Sequence, residues 1–380
     1  MAHGRPIHVL HTFANESAVP YLTWFSNRAV QEGNLRYSFL LMTKDRPAMV
    51  EEMAQRGFPV KWIRYDHRQR KRGMLKALPW LWWHIQRMKP DIVHCNLFDD
   101  IVPGLLAAWL AKVPVRMMSR QDTGYHWLHA RKWMAADRWN ARMATDIITI
   151  SEEAREFLIN IEGTPANKLH LVHNGIPPEV FTRQSPEAIA RLKKRFSTAG
   201  RFPVIGTVAR FIPWKGYEHI VQAATHIVRR HPRALFLFCG QGSQLADIKQ
   251  QVADAKLEGN IVFTGWVDRA DMPSLYGLLD IYLHAAIMEP FGLVYPEAMM
   301  NAVPVVSTPT GAARDAIIDG TNGILAERNG ESLAHGVERL LAMDLKAVGL
   351  AGRETAMRMY SFDVMWNGTM EVYRQALSKT

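Results

Sequence analysis

Short apolar runs alternate with amphipathic stretches along the whole chain, the pattern of strands covered on both faces by helices. In the first half the expected strands are Ile7–Leu10, Tyr37–Met42, Val60–Ile63, Ile92–His94, Val115–Met118 and Ile147–Ile150. In the second half they are Val204–Val208, Ala234–Cys239, Ile261–Phe263, Ile281–Leu283 and Val303–Val306. Runs such as Pro203-Val-Ile-Gly-Thr-Val208 are almost continuously apolar or β-branched, which suits a parallel strand with no solvated face. Two such series predict an α/β protein of two facing, Rossmann-like, doubly wound domains. The turn cluster His173-Asn174-Gly175-Ile176-Pro177-Pro178 separates them, followed by a charged helix expected from Ser185 to Phe196. The expected division is 1–175 and 176–361, with a terminal helix over 362–380 packing back on the first domain. Phe362, Met365, Trp366, Met370, Val372, Tyr373 and Leu377 form its apolar face.

Composition changes this picture little. A chain of 380 residues, 48% apolar and 22% charged, is ordinary for a globular enzyme of two domains. No apolar run approaches the roughly 20 residues that cross a bilayer. Met1 to Leu10 lacks the features of a signal peptide and reads as a first strand, so a cytoplasmic location is expected. Cys95 and Cys239 are too few and too far apart for a disulfide framework or a zinc site, and buried thiols are expected.

Charge does change it. The net +10 is concentrated in residues 1–175, which carry 24 Lys+Arg against 16 Asp+Glu. Between Lys61 and Lys89 nine Lys+Arg face a single acid, Asp66, with Trp80, Trp82 and Trp83 close by. A second basic stretch, Arg116 to Arg142, holds Trp127, Trp133 and Trp139. Basic residues beside tryptophan suit the inner face of an anionic membrane, or an anionic glycan or lipid diphosphate. The plainer alternative is a solvated helix face over buried tryptophans. No nucleic-acid reader motif is present, so no nucleic-acid partner is expected.

The most specific segment is Glu289-Pro-Phe-Gly-Leu-Val-Tyr-Pro-Glu297. Pro290 and Gly292 exclude regular helix at its start, while Pro296 suits the first turn of a new helix. The segment therefore sets one carboxylate before a tight loop and another in a helix's first turn. Loop amides and a helix N-terminus suit an anion, and flanking carboxylates suit sugar hydroxyls. A loop acid plus an acid on the helix dipole is the plain alternative. Upstream, Gly206-Thr-Val-Ala-Arg210-Phe-Ile-Pro-Trp-Lys215-Gly216 puts a guanidinium and an ammonium just after a buried strand. There they could stabilise a departing diphosphate, as a fork and as a point charge.

These segments resemble the retaining glycosyltransferases of the GT-B fold that carry a Glu-x7-Glu motif, the group 1 or family 4 enzymes. Phe238-Cys-Gly240-Gln-Gly242-Ser243, Phe263-Thr-Gly265-Trp266-Val267, Thr308-Pro-Thr310-Gly311, Asp319-Gly-Thr-Asn-Gly323 and Asn174-Gly175-Ile176 extend the resemblance in the family's order. It implies that Glu297 binds the donor's ribose hydroxyls and Glu289 the transferred sugar. It further implies that the amides of Phe291, Gly292 and Leu293 touch sugar and phosphate, that Val267 lies by the base, and that Gly240 and Thr310 line the donor site. Arg210 and Lys215 would stabilise the leaving diphosphate, so neither metal nor separate cofactor is expected. No Asp-x-Asp metal motif is present; Asp99-Asp100 is merely a pair. Uridine diphosphate is the expected carrier on the frequency of such donors in the family.

The first domain departs from the family pattern. The customary Gly-Gly turn after the first strand is replaced by His11-Thr-Phe-Ala-Asn15-Glu16-Ser17-Ala18, so Asn15, Glu16 and Ser17 are acceptor-side candidates. Gln121 stands where the family often has a His, in Ser119-Arg120-Gln121-Asp122-Thr123-Gly124-Tyr125-His126. Equivalent work would fall to Asp122, the preferred catalytic candidate, or to His126. A turn-capping Asp is the competing reading. His94, ending Asp91-Ile-Val-His, is either an acceptor-side residue or a satisfied core histidine.

The expected function is sugar transfer from a nucleotide diphosphate donor to a glycan or lipid-linked acceptor, in cell-surface polysaccharide or lipopolysaccharide synthesis. The alternatives are a non-hydrolysing nucleotide-sugar epimerase, or a non-catalytic glycan- or membrane-binding protein on the same scaffold. A nicotinamide-dependent oxidoreductase is disfavoured, because Gly240-Gln-Gly242 lacks the third glycine of a dinucleotide fingerprint.

Overall fold

In the computed structural model, which describes residues 6–14 and 20–380, the apolar runs become two parallel sheets. The first contains β1 (Ile7–Phe13), β2 (Leu35–Thr43), β3 (Val60–Arg64), β4 (Ile92–Cys95), β5 (Val115–Arg120), β6 (Asp146–Thr149) and β7 (Leu169–Leu171). Their order is β3-β2-β1-β4-β5-β6-β7. The second contains β8 (Val204–Val208), β9 (Leu235–Cys239), β10 (Ile261–Gly265), β11 (Ile281–His284), β12 (Val305–Ser307) and β13 (Ile324–Leu325). Their order is β10-β9-β8-β11-β12-β13. Both units are Rossmann-like α/β folds.

Sequence patterning located eleven of these strands and missed β7 and β13. Both are edge strands, of three and two residues, too short to show a period of their own. Each pairs in parallel with a single neighbour, β6 or β12. Asn15, Glu16 and Ser17 lie outside the described residues.

The chain divides into one unit of Met1–Val172 with Trp366–Thr380, and another of His173–Met365. The first core gathers Leu10, Leu40, Leu81, Val93, Leu105 and Ile147 between sheet and helices. The second gathers Ile205, Tyr217, Phe236, Phe238, Leu283 and Val306. The helix Phe362–Ser378 starts in the second unit, where the Phe362 amide donates to Ile176 O at 2.9 Å. Its later part belongs to the first: Trp366 Nε1 donates to Glu32 at 2.9 Å, and Tyr373 Oη lies 2.7 Å from His94 Nδ1.

Strand order fixes where loops can diverge. In the second sheet successive connections leave in opposite directions from β8, towards β9 on one side and β11 on the other. The loops after the carboxyl ends of β8 and β11 therefore part and leave a crevice, the usual ligand position in an open α/β sheet. The first carries Arg210 and Lys215, and the second carries Glu289.

Candidate active site in the second unit

Two glycines let the loops of this crevice close on one another. Gly216 has φ +66°, and a Cβ there would lie 2.0 Å from Ala285 O. Gly240 has φ +145°, and a Cβ would lie 2.0 Å from Ala209 O. Any larger residue at either place would force backbone apart. With both accommodated, Phe211 N donates to Gln241 O at 3.0 Å and Ile287 N to Trp214 O at 2.8 Å. The first bond ties the turn that ends in Lys215 to the turn after β9, and the second ties it to the loop that carries Glu289.

Lys215, 9% exposed, forms an ion pair with Glu289 through Nζ and Oε2. His284, fully buried at the end of β11, brings Nε2 to 3.8 Å from the same oxygen, beyond hydrogen-bond reach. Burial pushes the Glu289 carboxyl up, but His284 and Lys215 together hold it below the usual carboxylate range. Burial holds His284 below its ordinary value, against the pull of Glu289. Glu289 is therefore an anion braced by an ammonium and backed by a neutral imidazole.

Glu297 behaves differently. It sits in the helix Val294–Met300, half-buried, and accepts a hydrogen bond from Tyr276 Oη at 2.9 Å. Burial raises its carboxyl to about 7, against the opposing effects of Tyr276 and Arg269. The two acids of one short motif thus titrate in opposite directions: Lys215 pairs with Glu289, while burial prevails at Glu297.

A cavity of about 540 Å³ opens beside this helix. Of the residues the sequence pointed to, Arg210, Gly240, Val267, Leu293 and Glu297 line it. Lys215, Glu289, Phe291, Gly292 and Thr310 do not line it. Phe291 is buried and accepts from the Ala312 amide at 2.7 Å, while the Tyr295 amide donates to Gly292 O at 3.1 Å. Thr310 Oγ1 lies 3.2 Å from Tyr295 Oη. They shape the loop between the two glutamates from behind.

Sequence reading missed Tyr276, His284 and Arg269 here, and quoted Trp266 without giving it a role. Tyr276 and His284 touch or approach the two glutamates from elsewhere in the chain. Arg269 and Trp266 line the cavity, the first with its guanidinium 5.0 Å from the Phe181 ring centroid, the second 69% exposed. His284 could have been found, since the last residue of a parallel strand faces the crevice end. Tyr276 carried no local signal.

In the first unit, Gln121, Asp122 and His126 line a smaller cavity of about 300 Å³ after β5. Asp122 Oδ1 accepts the amides of Gly124 and Tyr125 at 2.8 and 3.0 Å, the turn-capping role weighed for it. Its Oδ2 lies 3.1 Å from Arg120 Nε. His126 Nδ1 lies 2.9 Å from Asp137 Oδ2. His94 is not among the residues lining that cavity: its ring nitrogens meet Tyr373 Oη at 2.7 Å and Ser119 Oγ at 2.8 Å. Burial holds it near 3, so it is the satisfied core histidine of the two readings.

Two Rossmann-like units, one with paired carboxylates and cations at its switch point, define an enzyme of the glycosyltransferase class. Residues 28–175 match the glycosyl transferase 4-like domain and residues 189–356 match glycosyl transferases group 1. A 2-deoxystreptamine glucosyltransferase from Streptomyces kanamyceticus is 32% identical over 273 residues, 67% of this chain and 69% of that protein. A GDP-mannose-dependent phosphatidylinositol monomannoside mannosyltransferase from Mycolicibacterium smegmatis is 27% identical over 56% of this chain and 58% of its own. Among solved structures, Anabaena HepE in complex with UDP superposes with a TM-score of 0.80 at 20% identity, covering 97% of this chain and 100% of that one. The chain belongs to the group 1 glycosyl transferases.

Proposed function

We propose that this enzyme is a retaining, metal-independent hexosyltransferase that moves a sugar from a nucleotide diphosphate to a glycan or lipid-linked acceptor in cell-surface polysaccharide or lipopolysaccharide synthesis. The observation that carries this reading is the pairing of Lys215 with Glu289 beside a cavity lined by Arg210 and Glu297. Glu297 takes the ribose hydroxyls, Glu289 the transferred sugar, and Arg210 and Lys215 the diphosphate. The amides of Phe291 to Leu293 are assigned to sugar and phosphate and Val267 to the base; Gly240 lines the donor cavity, and Thr310 braces the loop from behind it. The acceptor belongs to the first unit, with Gln121, Asp122 and His126 as its candidate contacts.

In the proposed step the acceptor oxygen attacks the anomeric carbon on the face from which the diphosphate departs. The sugar–phosphate C–O bond breaks as the new C–O bond forms, and a departing phosphate oxygen takes the hydroxyl proton. Arg210 and Lys215 oppose the charge that grows on that group, which needs neither a cofactor nor a metal. A uridine diphosphate donor is favoured by the likeness to a protein solved with UDP, although the Mycolicibacterium relative is named for GDP-mannose. A non-catalytic role is disfavoured by the retention of Arg210, Lys215, Glu289 and Glu297. An epimerase would leave the basic first domain without a task.

A thermal-shift screen of nucleotides and nucleotide sugars tests this reading. One uridine or guanosine diphosphate sugar at a hundred times its Kd should stabilise the protein by about 2.7 kcal/mol, a shift of several degrees. If none of them moves Tm, the donor site is wrongly assigned.

The same reading includes peripheral attachment to an anionic membrane face through the helix Arg70–Met88. No described helix is long and apolar enough to cross a membrane. Leu75, Trp82 and Trp83 are exposed on that helix, 72%, 41% and 47%, among Arg72, Lys76 and Arg87. Spacings of three, four and seven residues place them on one face. The second basic stretch differs, for Trp127, Trp133 and Trp139 are all half-buried there. Vesicles containing phosphatidylserine should co-float with the protein at low salt, and release it as salt rises. Trp82→Ser/Trp83→Ser should abolish flotation, and unchanged flotation would remove this helix from the account.

A further inference from the structure

Three buried tyrosines lie close together in the second unit, and their hydroxyls are committed differently. The ring centroids of Tyr276 and Tyr282 are 6.0 Å apart, and those of Tyr282 and Tyr295 6.4 Å. Tyr282 Oη donates to Val208 O at 3.2 Å, and Tyr295 Oη accepts from Ser307 Oγ at 3.1 Å beside Thr310. Of the three, only Tyr276 reaches a carboxylate, donating to Glu297 Oε2 at 2.9 Å. Its ring has little room to move. Tyr276 is fully buried and ends the helix Met272–Tyr276, all five of whose residues are buried. Ser274 ties that helix down, its Oγ accepting the Ser185 amide at 3.0 Å. Beyond it Gly277 packs so closely on Gln184 that a Cβ there would lie 2.6 Å from Gln184 Oε1.

The second oxygen of Glu297 is placed differently. Glu297 lines the donor cavity, and its Oε1 accepts from none of the described residues. A carboxylate fixed through one oxygen presents the other in a set direction, which spares a ligand the cost of ordering it.

We propose that Tyr276 is a positioning residue for the nucleotide: its hydroxyl fixes Glu297 through Oε2 and leaves Oε1 for the ribose hydroxyls. This role rests on the assignment of Glu297 to the ribose. The same bond bears on charge. A hydroxyl that donates to a carboxylate stabilises the ionised form, so Tyr276 opposes the burial that raises this carboxyl to about 7. Burial, with Glu297 alongside, lifts the phenol well above its ordinary value, so Tyr276 remains a donor throughout the neutral range. The other titratable and charged groups around Glu297 are Arg269, on the turn before that helix, and Tyr282, on β11. Arg210 and Cys239 line the same cavity. Of these, Arg269 acts on Glu297 in the same direction as Tyr276.

Calorimetric titration of the full chain with UDP and with GDP, from about pH 5 to about pH 8.5, tests this role. In the unsubstituted protein affinity should rise up to about pH 7 and level off above it. Tyr276→Phe keeps the ring and should move that rise to higher pH. The nucleotide should bind about tenfold more weakly near pH 6, the worth of one hydrogen bond to a charged acceptor, and the gap should narrow above about pH 8. In a Glu297→Gln background this carboxyl is gone, so Tyr276→Phe should leave the pH profile unmoved. That double variant removes the buried acid together with the phenol, so it reads out the role even where the single variant melts too low to assay. A gap equal at every pH, no gap, or a pH-dependent gap in the Glu297→Gln background overturns the role of Tyr276. If neither nucleotide binds the unsubstituted chain, or binds with an affinity flat in pH, the assignment of Glu297 to the ribose falls, and this role with it.

Discussion

Lys215→Ala should lower kcat about 10²- to 10³-fold, the usual loss when one fixed donor to developing charge is removed. The same change leaves the Glu289 carboxylate enclosed without its cation, so it should also cost stability, on the order of 3 kcal/mol. The two effects separate in the double variant Lys215→Ala/Glu289→Gln. Replacing the orphaned acid by an amide should restore most of the lost Tm and none of the lost turnover. Steady-state rates with saturating donor, together with melting curves, check both. A double variant that regained activity with stability would show that Lys215 serves the fold and not the leaving group.

Glu297→Gln should weaken nucleotide binding about 10- to 100-fold, the worth of charge-assisted bonds to two hydroxyls. It should also raise the melting temperature of the free enzyme, and the pH dependence follows from the shift. Burial lifts this carboxyl from 4.5 to about 7 in the folded chain. The neutral acid is favoured by folding, so its contribution to stability is complete below about 4.5 and lost as pH rises to about 7. An amide never ionises. The gain of the Gln variant should therefore appear across that window and level off above it. Nucleotide binding should follow the opposite course in the unsubstituted enzyme. Ribose hydroxyls donate to the carboxylate, so binding expels a proton below pH 7 and tightens by at most about tenfold per pH unit towards it. Calorimetry in buffers of different ionisation heat would detect that proton. A nucleotide affinity flat from pH 5 to 8 would detach Glu297 from the ribose.

The contrast between these two glutamates was not legible in Glu289 to Glu297. Both are acids at the edge of one loop, and their spacing treats them alike. What separates them is Lys215, 74 residues from Glu289 in sequence and brought there by the β8 and β11 loops parting from neighbouring strands. Tyr276, 21 residues before Glu297, is likewise brought to it by packing. Asp122 gives the opposite lesson. Its turn-capping role was readable from Asp122-Thr-Gly124, because an Asx turn needs only two or three residues. His94 could be read two ways until the terminal helix supplied Tyr373, 279 residues on.

Sequence by itself determined the features that depend on local order. These were the buried parallel strands, the switch-point loops carrying Arg210 and Lys215, and the carboxylate loop. Apolar runs, turn residues and charge placement act over a few positions, so they survive in a single chain read from end to end. Only the tertiary structure decided which charges are paired, which are buried, and which polar atoms remain without a partner. Those depend on distance through the fold and on exclusion of water, and neither is encoded by spacing along the chain. The unusual chemistry of this protein lies there: a Glu289 carboxyl held low beside Lys215, and a Glu297 carboxyl raised by burial to about 7.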